Sequence, residues 1–456
     1  MQENAQNIGM ADEYKPYQEL AEALRNGNFY LSETPSEELL SMDDPYGFWG
    51  RASEQILFDH VYYDGHYYVY LGILPCLMFF YPFYALTGLH LSNSLVVWFL
   101  MVATSVGMYF LLKTIIQRYF VKTPFASLLL MVGASMGALH FWYDAGYADA
   151  YMIPILSSMA LTLWGLTLWI RSCKEDHISI PPFLIGSVCM AAVAACRPTL
   201  AVFSFLAWPI FGTYLKRDKT VYPMSGRVRD IALLFLPYVF VAGCLMTYNK
   251  MRFGSPFDFG FDYNLTIQST GDTKFSIYLL WDGLYQYFLK FPGIEKAFPF
   301  LQGAYLNVTS QRYYILEEGC YGGLLWTAPV LFLFFGLKDS VKQLKDKKIF
   351  LSVLMLPVIS AFLMVLDVEY TYCIAMRYQD EFCLPLLMIC WILYMAWQER
   401  SVEEKDRERV RRVFTILAVW TIVFGFFYLV PEDARYSLVK GNTLLFYKIF
   451  YAINIL

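Results

Sequence analysis

Charged residues are scarce in this chain of 456 residues, at 16%, whereas hydrophobic residues make up 57% and aromatic residues 19%. Soluble domains usually carry about 25% charged residues. This shortage argues against an ordinary soluble domain and predicts a protein that crosses a membrane several times. The sequence also has no strongly basic face, so we expect no nucleic-acid partner.

The patterns of disulfide and metal sites are missing as well. The nine cysteines form no CxxC pair, and we interpret them as small core residues because most lie inside apolar runs. The five histidines form no HxH or HxxxH pattern, so we expect no histidine-based metal site. No motif indicates a cofactor, and a requirement for a divalent metal ion is left open. Residues 1–11 lack the charged start and apolar core of a signal peptide.

What the chain has in abundance is apolar runs that are long enough, or nearly long enough, to span a bilayer. These runs lie at 69–88, 93–112, 124–141, 151–170, 183–196, 199–215, 231–248, 323–337, 349–366, 382–398 and 413–430. The predicted fold is therefore all-α, a polytopic membrane protein of about 10–11 apolar helices joined by extracytoplasmic and cytoplasmic loops.

The loops between these runs differ in charge, which predicts their orientation. Five of them hold 21 of the 35 lysine and arginine residues: 113–122, 171–180, 216–230, 338–348 and 399–412. Short basic loops face the cytoplasm, and an even number of runs separates each loop from the next. All five can therefore lie on the cytoplasmic side, which places 142–150, 249–322 and 367–381 on the other side.

This reasoning divides the chain into five regions. They are an extracytoplasmic acidic loop with amphipathic helices (1–68), an N-terminal transmembrane module (69–248), an extracytoplasmic loop (249–322), C-terminal transmembrane helices (323–430) and an extracytoplasmic tail (431–456). The run 69–88 leaves the side of the first region open, because a full crossing would place 1–68 inside. Pro75 and Pro82 interrupt this run, so a re-entrant or in-plane helix is the alternative.

The first region is unusually acidic, with thirteen acidic residues in 1–68 against three basic ones. Tyr17, Leu20, Ala21 and Leu24 recur at helical spacing and predict a short amphipathic helix, which Gly27 would end. A second helix is predicted to start at Ser36. Asp12 and Glu13 open the acidic stretch and are the leading candidates for a catalytic carboxylate.

Further charged residues stand at the predicted outer ends of helices. They are Asp144, Asp149, Arg197, Arg252 and Arg377. Carboxylates that face one aqueous vestibule with arginines suit chemistry on a phosphate-linked substrate, because a carboxylate can accept a proton and arginine binds phosphate oxygens bidentately.

Each of these residues also has a simpler interpretation. Asp144 and Asp149 can be ordinary solvated loop charges. Arg377 can form a local ion pair with Asp380 and Glu381. Arg197 lies in an apolar stretch, where an arginine is costly enough to indicate a function.

Several motifs, taken in order, resemble one family. They are DEYKPYQELAEALRNGNFYL, DPYGFWGR, DHVYYDGHYYVYLGILPCLMFFYPF, RPT (197–199), RFGSPFDFGFDYNLT (252–266) and RYQDEF (377–382). This order resembles the membrane glycosyltransferases of the GT-C superfamily, in the branch of the protein O-mannosyltransferases and the lipid A aminoarabinose transferase. The similarity covers most of the chain.

The resemblance implies an enzyme of the plasma (inner) membrane that transfers a sugar from a polyprenyl-phosphate donor on the extracytoplasmic face, generally with inversion. The acceptor would be a glycan, a lipid or a protein. By position, Asp12 matches the family's general base, Glu13 stands beside it, and Asp144 or Asp149 matches a second acidic site. Arg197, Arg252 and Arg377 are then candidates for binding the lipid phosphate.

The family pattern places a transmembrane helix before the acidic loop, where this sequence has eleven polar residues, so we expect a truncated homologue or a start that lies further upstream. Two other functions remain as alternatives. One is a transporter or flippase of a lipid-linked saccharide, and the other is a catalytically inactive scaffold of the cell envelope.

Overall fold

The computed structural model describes residues 14–47, 56–217, 222–265, 276–301, 321–344, 346–370, 374–401, 403–430 and 438–454. The regular structure in these ranges is almost entirely helical. The sheet found there is a two-stranded antiparallel hairpin of β1 (Val61–Tyr63) and β2 (His66–Tyr68). The prediction of an all-α chain is confirmed.

The helices of the first half begin with short elements and continue with long ones. They are α1 (Pro16–Arg25), α2 (Glu37–Leu40), α3 (Ile73–Thr87, with a π-helical middle), α4 (Asn93–Tyr119), α5 (Phe125–Ala138), α6 (Phe141–Tyr147), α7 (Met152–Ser172), α8 (Ile180–Cys196) and α9 (Ala207–Leu215). A 3-10 helix, Pro198–Leu206, leads into α9.

The second half contains four long helices and several short ones. They are α10 (Met224–Phe253), α11 (Ile277–Leu284), α12 (Leu324–Thr327), α13 (Phe332–Gly336), α14 (Lys347–Tyr370), α15 (Met376–Arg400), α16 (Glu404–Phe427), α17 (Leu438–Gly441) and α18 (Thr443–Asn454). Helices α17 and α18 occupy the part of the sequence that we had predicted to be a tail.

Six of these helices, in the part of the chain that the structure describes, are long and apolar enough to cross a membrane: α4, α7, α10, α14, α15 and α16. Helices α5 and α6 make a seventh span if they count as one element, although they bend by 44° at their junction. The chain is therefore a polytopic, all-α membrane protein.

The loops sort to two ends of the helical bundle. Arg118 donates to the Cys173 carbonyl at 2.6 Å, and the Lys122 amide donates to Glu399 Oε2 at 2.9 Å. Lys348 and Arg217 lie over the Tyr214 ring at 4.4 Å and 4.3 Å, and the Tyr214 hydroxyl donates to the Lys174 carbonyl. These contacts bring all five basic loops to one end, which we name the basic end. The other end of the bundle is the opposite end.

Helix α3 stays at the opposite end. Its first turn follows Gly72, which packs against the Cys196 carbonyl where α8 ends. After α3 the chain returns to α1, because Gln18 donates to the Leu91 carbonyl at 2.8 Å. Helix α1 is about 15 Å long and also stacks Tyr17 on Phe80 of α3 at 5.2 Å. Run 69–88 was predicted either to cross the membrane fully or to form a re-entrant or in-plane helix. The structure therefore favours the second interpretation.

The short elements of the acidic region form as the sequence predicts. Tyr17, Leu20 and Ala21 are buried on one face of α1, and Gly27 follows its end with φ +79°. Ser36 caps α2 by accepting a hydrogen bond from the Leu39 amide at 3.1 Å.

Two helix breaks shape the opposite end. Arg197 is extended (φ −148°, ψ 103°) between α8 and Pro198, because a residue before proline avoids the helical conformation. His140 separates α5 from α6 with φ +48°, a left-handed conformation that is uncommon outside glycine. Both breaks place polar side chains inside the bundle.

Helices α7 and α8 pack closely through glycines. A Cβ atom on Gly186 would lie 2.7 Å from Trp169 Cδ1 and 3.0 Å from the Gly165 carbonyl oxygen. Small residues at such crossings allow membrane helices to approach at backbone distance. The contact holds α7, which Tyr151 precedes, against α8, which Arg197 follows.

Candidate functional site

Tyr151, directly before α7, is the centre of a polar cluster at the opposite end. Its hydroxyl donates to Asp59 Oδ2, its ring stacks on Tyr14 with centroids 5.1 Å apart, and the Arg377 guanidinium lies 4.6 Å from its ring centre. Tyr70 also donates to Asp59 Oδ2, at 3.0 Å. We call these five residues the Tyr151 cluster.

The cluster joins four distant parts of the chain. Tyr14 precedes α1, Asp59 and Tyr70 flank the β-hairpin, Tyr151 directly precedes α7 and Arg377 lies in the first turn of α15. Asn264 adds a fifth, because its side-chain amide donates to Asp59 Oδ1 at 3.1 Å. Both oxygens of the Asp59 carboxylate therefore accept hydrogen bonds, which compensates its burial.

The phenols of the cluster are held in their protonated form. Burial, followed by the charge of Asp59, raises the pKa of Tyr14 and the pKa of Tyr70 well above the usual value. The same two causes raise the pKa of Tyr151. These hydroxyls therefore donate hydrogen bonds at every physiological pH, and they fix the loop that contains Asp59 to α7.

A second set of charged groups, which we call the buried charge network, lies beside the cluster. Arg197 pairs with Glu381 and lies 3.8 Å from Asp367 Oδ1. Thr199 donates to Glu381 Oε2 at 2.9 Å. His140 Nδ1 and Asp380 Oδ1 are 2.7 Å apart, and both side chains are fully buried.

One ring connects the network to the Tyr151 cluster. Tyr378 has the Arg197 guanidinium 5.2 Å from its centre and the Arg377 guanidinium at 4.9 Å. Arginines bind aromatic faces through cation–π contacts. The cluster and the network therefore form one continuous polar region at the opposite end.

The sequence-predicted carboxylates fall in three places. Asp12 and Glu13 lie outside the residues that the structure describes, although Tyr14, which follows them directly, is in the cluster. Asp149 Oδ1 accepts a hydrogen bond from the Ala150 amide, two residues before α7, and the charge of Asp149 acts on Tyr14. Asp144 is buried in α6 and lies near Asp380 of the network.

The three predicted phosphate-binding arginines differ in their partners. Arg377 belongs to the Tyr151 cluster, whereas Arg197 is neutralised by Glu381 and Asp367. Arg252 donates to the Val69 carbonyl at 2.9 Å and to Asn249 Oδ1 at 2.8 Å, with the Tyr248 ring 3.8 Å from its guanidinium carbon. Arg252 therefore secures the turn before α3.

Asp59 and Tyr151 were not singled out from the sequence. A signal was present for Asp59, since it opens the segment DHVYYDGHYYVY (59–70), which contains five tyrosines. Its left-handed backbone (φ +58°) marks it further, because strained conformations collect at functional positions. Tyr151 gave no such signal, because tyrosines are common at the ends of membrane helices.

No metal site is visible in the described ranges, where no group of three or more His, Cys, Asp or Glu side chains could hold an ion. No protein-family model, no curated protein and no solved structure matches the chain.

Proposed function

We propose that the chain is a membrane glycosyltransferase that transfers a sugar from a polyprenyl-phosphate donor to an envelope acceptor. The observation that carries the proposal is the contact set of Tyr151, which brings the acidic N-terminal segment, through Tyr14, next to an arginine, Arg377. Sugar transfer from a lipid phosphate requires such a pair, a carboxylate base and a cation for the departing phosphate.

Asp12 is the proposed general base. It stands two residues before Tyr14 in the sequence, and Tyr14 belongs to the Tyr151 cluster. Its carboxylate would take the proton of the acceptor hydroxyl while that oxygen attacks the anomeric carbon. The bond from this carbon to the donor phosphate oxygen breaks, and polyprenyl phosphate leaves with the electron pair.

The other carboxylates suit this role less well. Both oxygens of Asp59 are engaged by Tyr70, Tyr151 and Asn264, so Asp59 positions the surrounding loop. Asp144 lies inside the bundle beside Asp380. The second choices are Glu13, which is adjacent to Asp12 in sequence, and Asp149, whose charge acts on Tyr14.

Arg377 is the proposed ligand of the donor phosphate. Its guanidinium carbon lies 4.6 Å from the Tyr151 ring centre and 4.9 Å from that of Tyr378, and its Nη2 donates to the Tyr378 hydroxyl at 3.4 Å. A guanidinium can bind phosphate bidentately through its N–H groups. Arg197 would have to give up two carboxylate partners to bind phosphate, and Arg252 would have to release the Val69 carbonyl.

The test is transfer of radiolabelled sugar from a panel of polyprenyl-phosphate hexoses and pentoses in membranes that contain the chain. Asp12→Asn should lower the transfer rate by about 100-fold or more, because a general base contributes about 10²–10⁴-fold. Asp43→Asn is the matched control, since Asp43 is an exposed acid of the same region. Equal transfer by the two variants, at equal protein level, would remove Asp12 from the mechanism.

A transporter or flippase of a lipid-linked saccharide is the second proposal. The buried charge network favours it, because ionisable residues inside membrane proteins often mark transport pathways. Proteoliposomes distinguish the two. Movement of a labelled lipid-linked sugar between leaflets, with no transfer to any acceptor fraction, would favour transport.

A further inference from the structure

Helix α11 has one face packed in the protein and one face exposed. The packed face carries Leu279, Gly283 and the one charged residue of the helix, Asp282. The exposed face continues into the π-helical turn Tyr285–Leu289. Its members recur at helical spacing, and they are Ile277, Tyr278, Trp281 and Tyr285, with exposed fractions of 65%, 76%, 65% and 44%. A contiguous apolar surface of this kind marks an interaction site.

Contacts with α14 fix the direction of α11. The Ser276 amide, directly before the helix, donates to Glu369 Oε2 at 2.9 Å, and a Cβ atom on Gly283 would lie 2.5 Å from Val368 Cγ2. Ser276 and Gly283 are about 10 Å apart along the helix, yet both meet the same turn at the end of α14. Helix α11 therefore crosses α14 instead of running alongside it.

The π-helical turn after α11 reaches α15. The rings of Tyr287 and Phe288 pack on Phe382, with centroids 5.0 Å and 5.6 Å apart. Helix α14 ends and α15 begins at the opposite end of the bundle. Because α11 crosses two membrane-spanning helices near these termini, it runs roughly parallel to the bilayer surface at the opposite end.

The surface that adjoins α11 faces lipid. Helix α14 is long and apolar enough to cross a membrane, and Leu354, Val358 and Phe362 form an exposed stripe along it. Glu369 follows Phe362 by about two helical turns and so lies on the same face of α14. The lipid that covers this stripe therefore meets α11 where the Ser276 amide binds Glu369.

We propose that the exposed face of α11 inserts into the lipid interface of the bilayer at the opposite end. Tyrosine and tryptophan concentrate at this interface, because their rings are apolar while their hydroxyl and indole N–H groups stay in contact with water. The apolar face of an interfacial helix sinks about 5–10 Å into the boundary between headgroups and acyl chains. The exposed residues of α11 carry no charge, so the contact does not require anionic lipid.

Insertion of α11 also sets the depth of Arg377. The Ala375 amide donates to the Tyr287 hydroxyl at 3.3 Å, and the Gln379 side-chain amide donates to the Tyr287 carbonyl at 3.4 Å. Arg377 lies between these two contacts in the sequence, so α11 holds its turn near the lipid headgroups. The inference itself does not depend on sugar transfer.

The test is nitroxide labelling of Tyr278→Cys in phosphatidylcholine nanodiscs. The parent protein carries Cys244→Ser, because Cys244 is an exposed thiol, and its own labelling gives the background. Power saturation compares collisions of the label with oxygen, which partitions into lipid, and with a water-soluble nickel chelate. The matched controls are Val358→Cys, in the lipid-facing stripe, and Glu38→Cys, at an exposed position of α2.

We expect the label at position 278 to collide more often with oxygen than with the nickel chelate. Its depth should lie between those of the two controls, about 5–10 Å below the lipid phosphates, and should be the same in phosphatidylglycerol nanodiscs. Collisions with the nickel chelate as frequent as at position 38 would overturn the proposal, because the face would then lie in water.

Two further arms complete the test. Spin–spin broadening that disappears on dilution with unlabelled protein would also overturn the proposal, since a second copy of the chain would then cover α11. Ile277→Cys labels the same face, so it provides the same measurements if Tyr278→Cys fails to fold.

Discussion

Tyr151 makes three different interactions with one side chain. Its hydroxyl satisfies a buried carboxylate, one part of its ring stacks on Tyr14, and the ring also carries the Arg377 guanidinium. Loss of the hydroxyl would affect Asp59 and Tyr14, whereas the ring contacts would persist. This separation makes Tyr151 a useful site for testing the cluster.

Tyr151→Phe should destabilise the protein by about 1.5–3 kcal/mol, since it removes a hydrogen bond to a charged, buried group. The loop that contains Asp59 would lose its link to α7, so we also expect at least a tenfold loss of sugar transfer. Tyr109→Phe is the control, because Tyr109 lies within α4, away from the cluster. Thermal unfolding in detergent and the transfer assay measure the two effects, and a Tyr151→Phe protein indistinguishable from the control would contradict the role of Asp59.

At the scale of helices, the sequence predicted which segments are helical better than it predicted the length of each helix. The gap between the apolar runs 183–196 and 199–215 coincides with the break at Arg197, and the apolar pattern located the six long helices. It could not reveal that α3 turns back at the opposite end, because this depends on contacts of Tyr17, Gln18 and Cys196 from other elements. Apolar length alone cannot distinguish a spanning helix from one that lies against others.

The crossing of α7 and α8 depends on the small size of Gly186. Gly186→Ala places a methyl group 3.0 Å from the Gly165 carbonyl oxygen, so we expect a loss of about 1–3 kcal/mol as the helices separate. Gly243→Ala should be neutral or slightly stabilising, because no atom lies within 4 Å of its Cβ position and alanine favours helix.

Unfolding midpoints of the two glycine variants provide the measurement. A Gly186→Ala protein as stable as Gly243→Ala would show that α7 and α8 have room to adjust. In that case the glycine contact would not be what positions Tyr151 and Arg197.

At the scale of the molecule, the distribution of charge along the sequence carried the most information. It assigned the five basic loops to one side, and the contacts of Arg118, Lys122 and Lys348 place them together. The site was harder to predict. Asp59 and Tyr151 are 92 positions apart, and Arg197 and Glu381 are 184 apart, so no local pattern records either pairing.

The same limit explains the mixed outcome for the arginines. The sequence singled out Arg197, Arg252 and Arg377, because a charge in or beside an apolar segment is costly. It could not show that Glu381 and Asp367 compensate Arg197, or that a carbonyl and an amide oxygen hold Arg252. The partners of a buried charge depend on the fold, and the cost of burial alone does not identify them.

The most direct test of the central claim is the sidedness of sugar transfer in proteoliposomes. The protein is reconstituted with radiolabelled polyprenyl-phosphate sugar, and a membrane-impermeant envelope acceptor fraction is added outside. Protease cleavage of the 399–412 loop reports the orientation. We predict transfer by molecules whose opposite end faces the acceptor, and none by molecules whose basic end does. Transfer at the basic end, or no transfer in either orientation from any donor of the panel, would contradict the assignment of the Tyr151 cluster as a glycosyltransferase site.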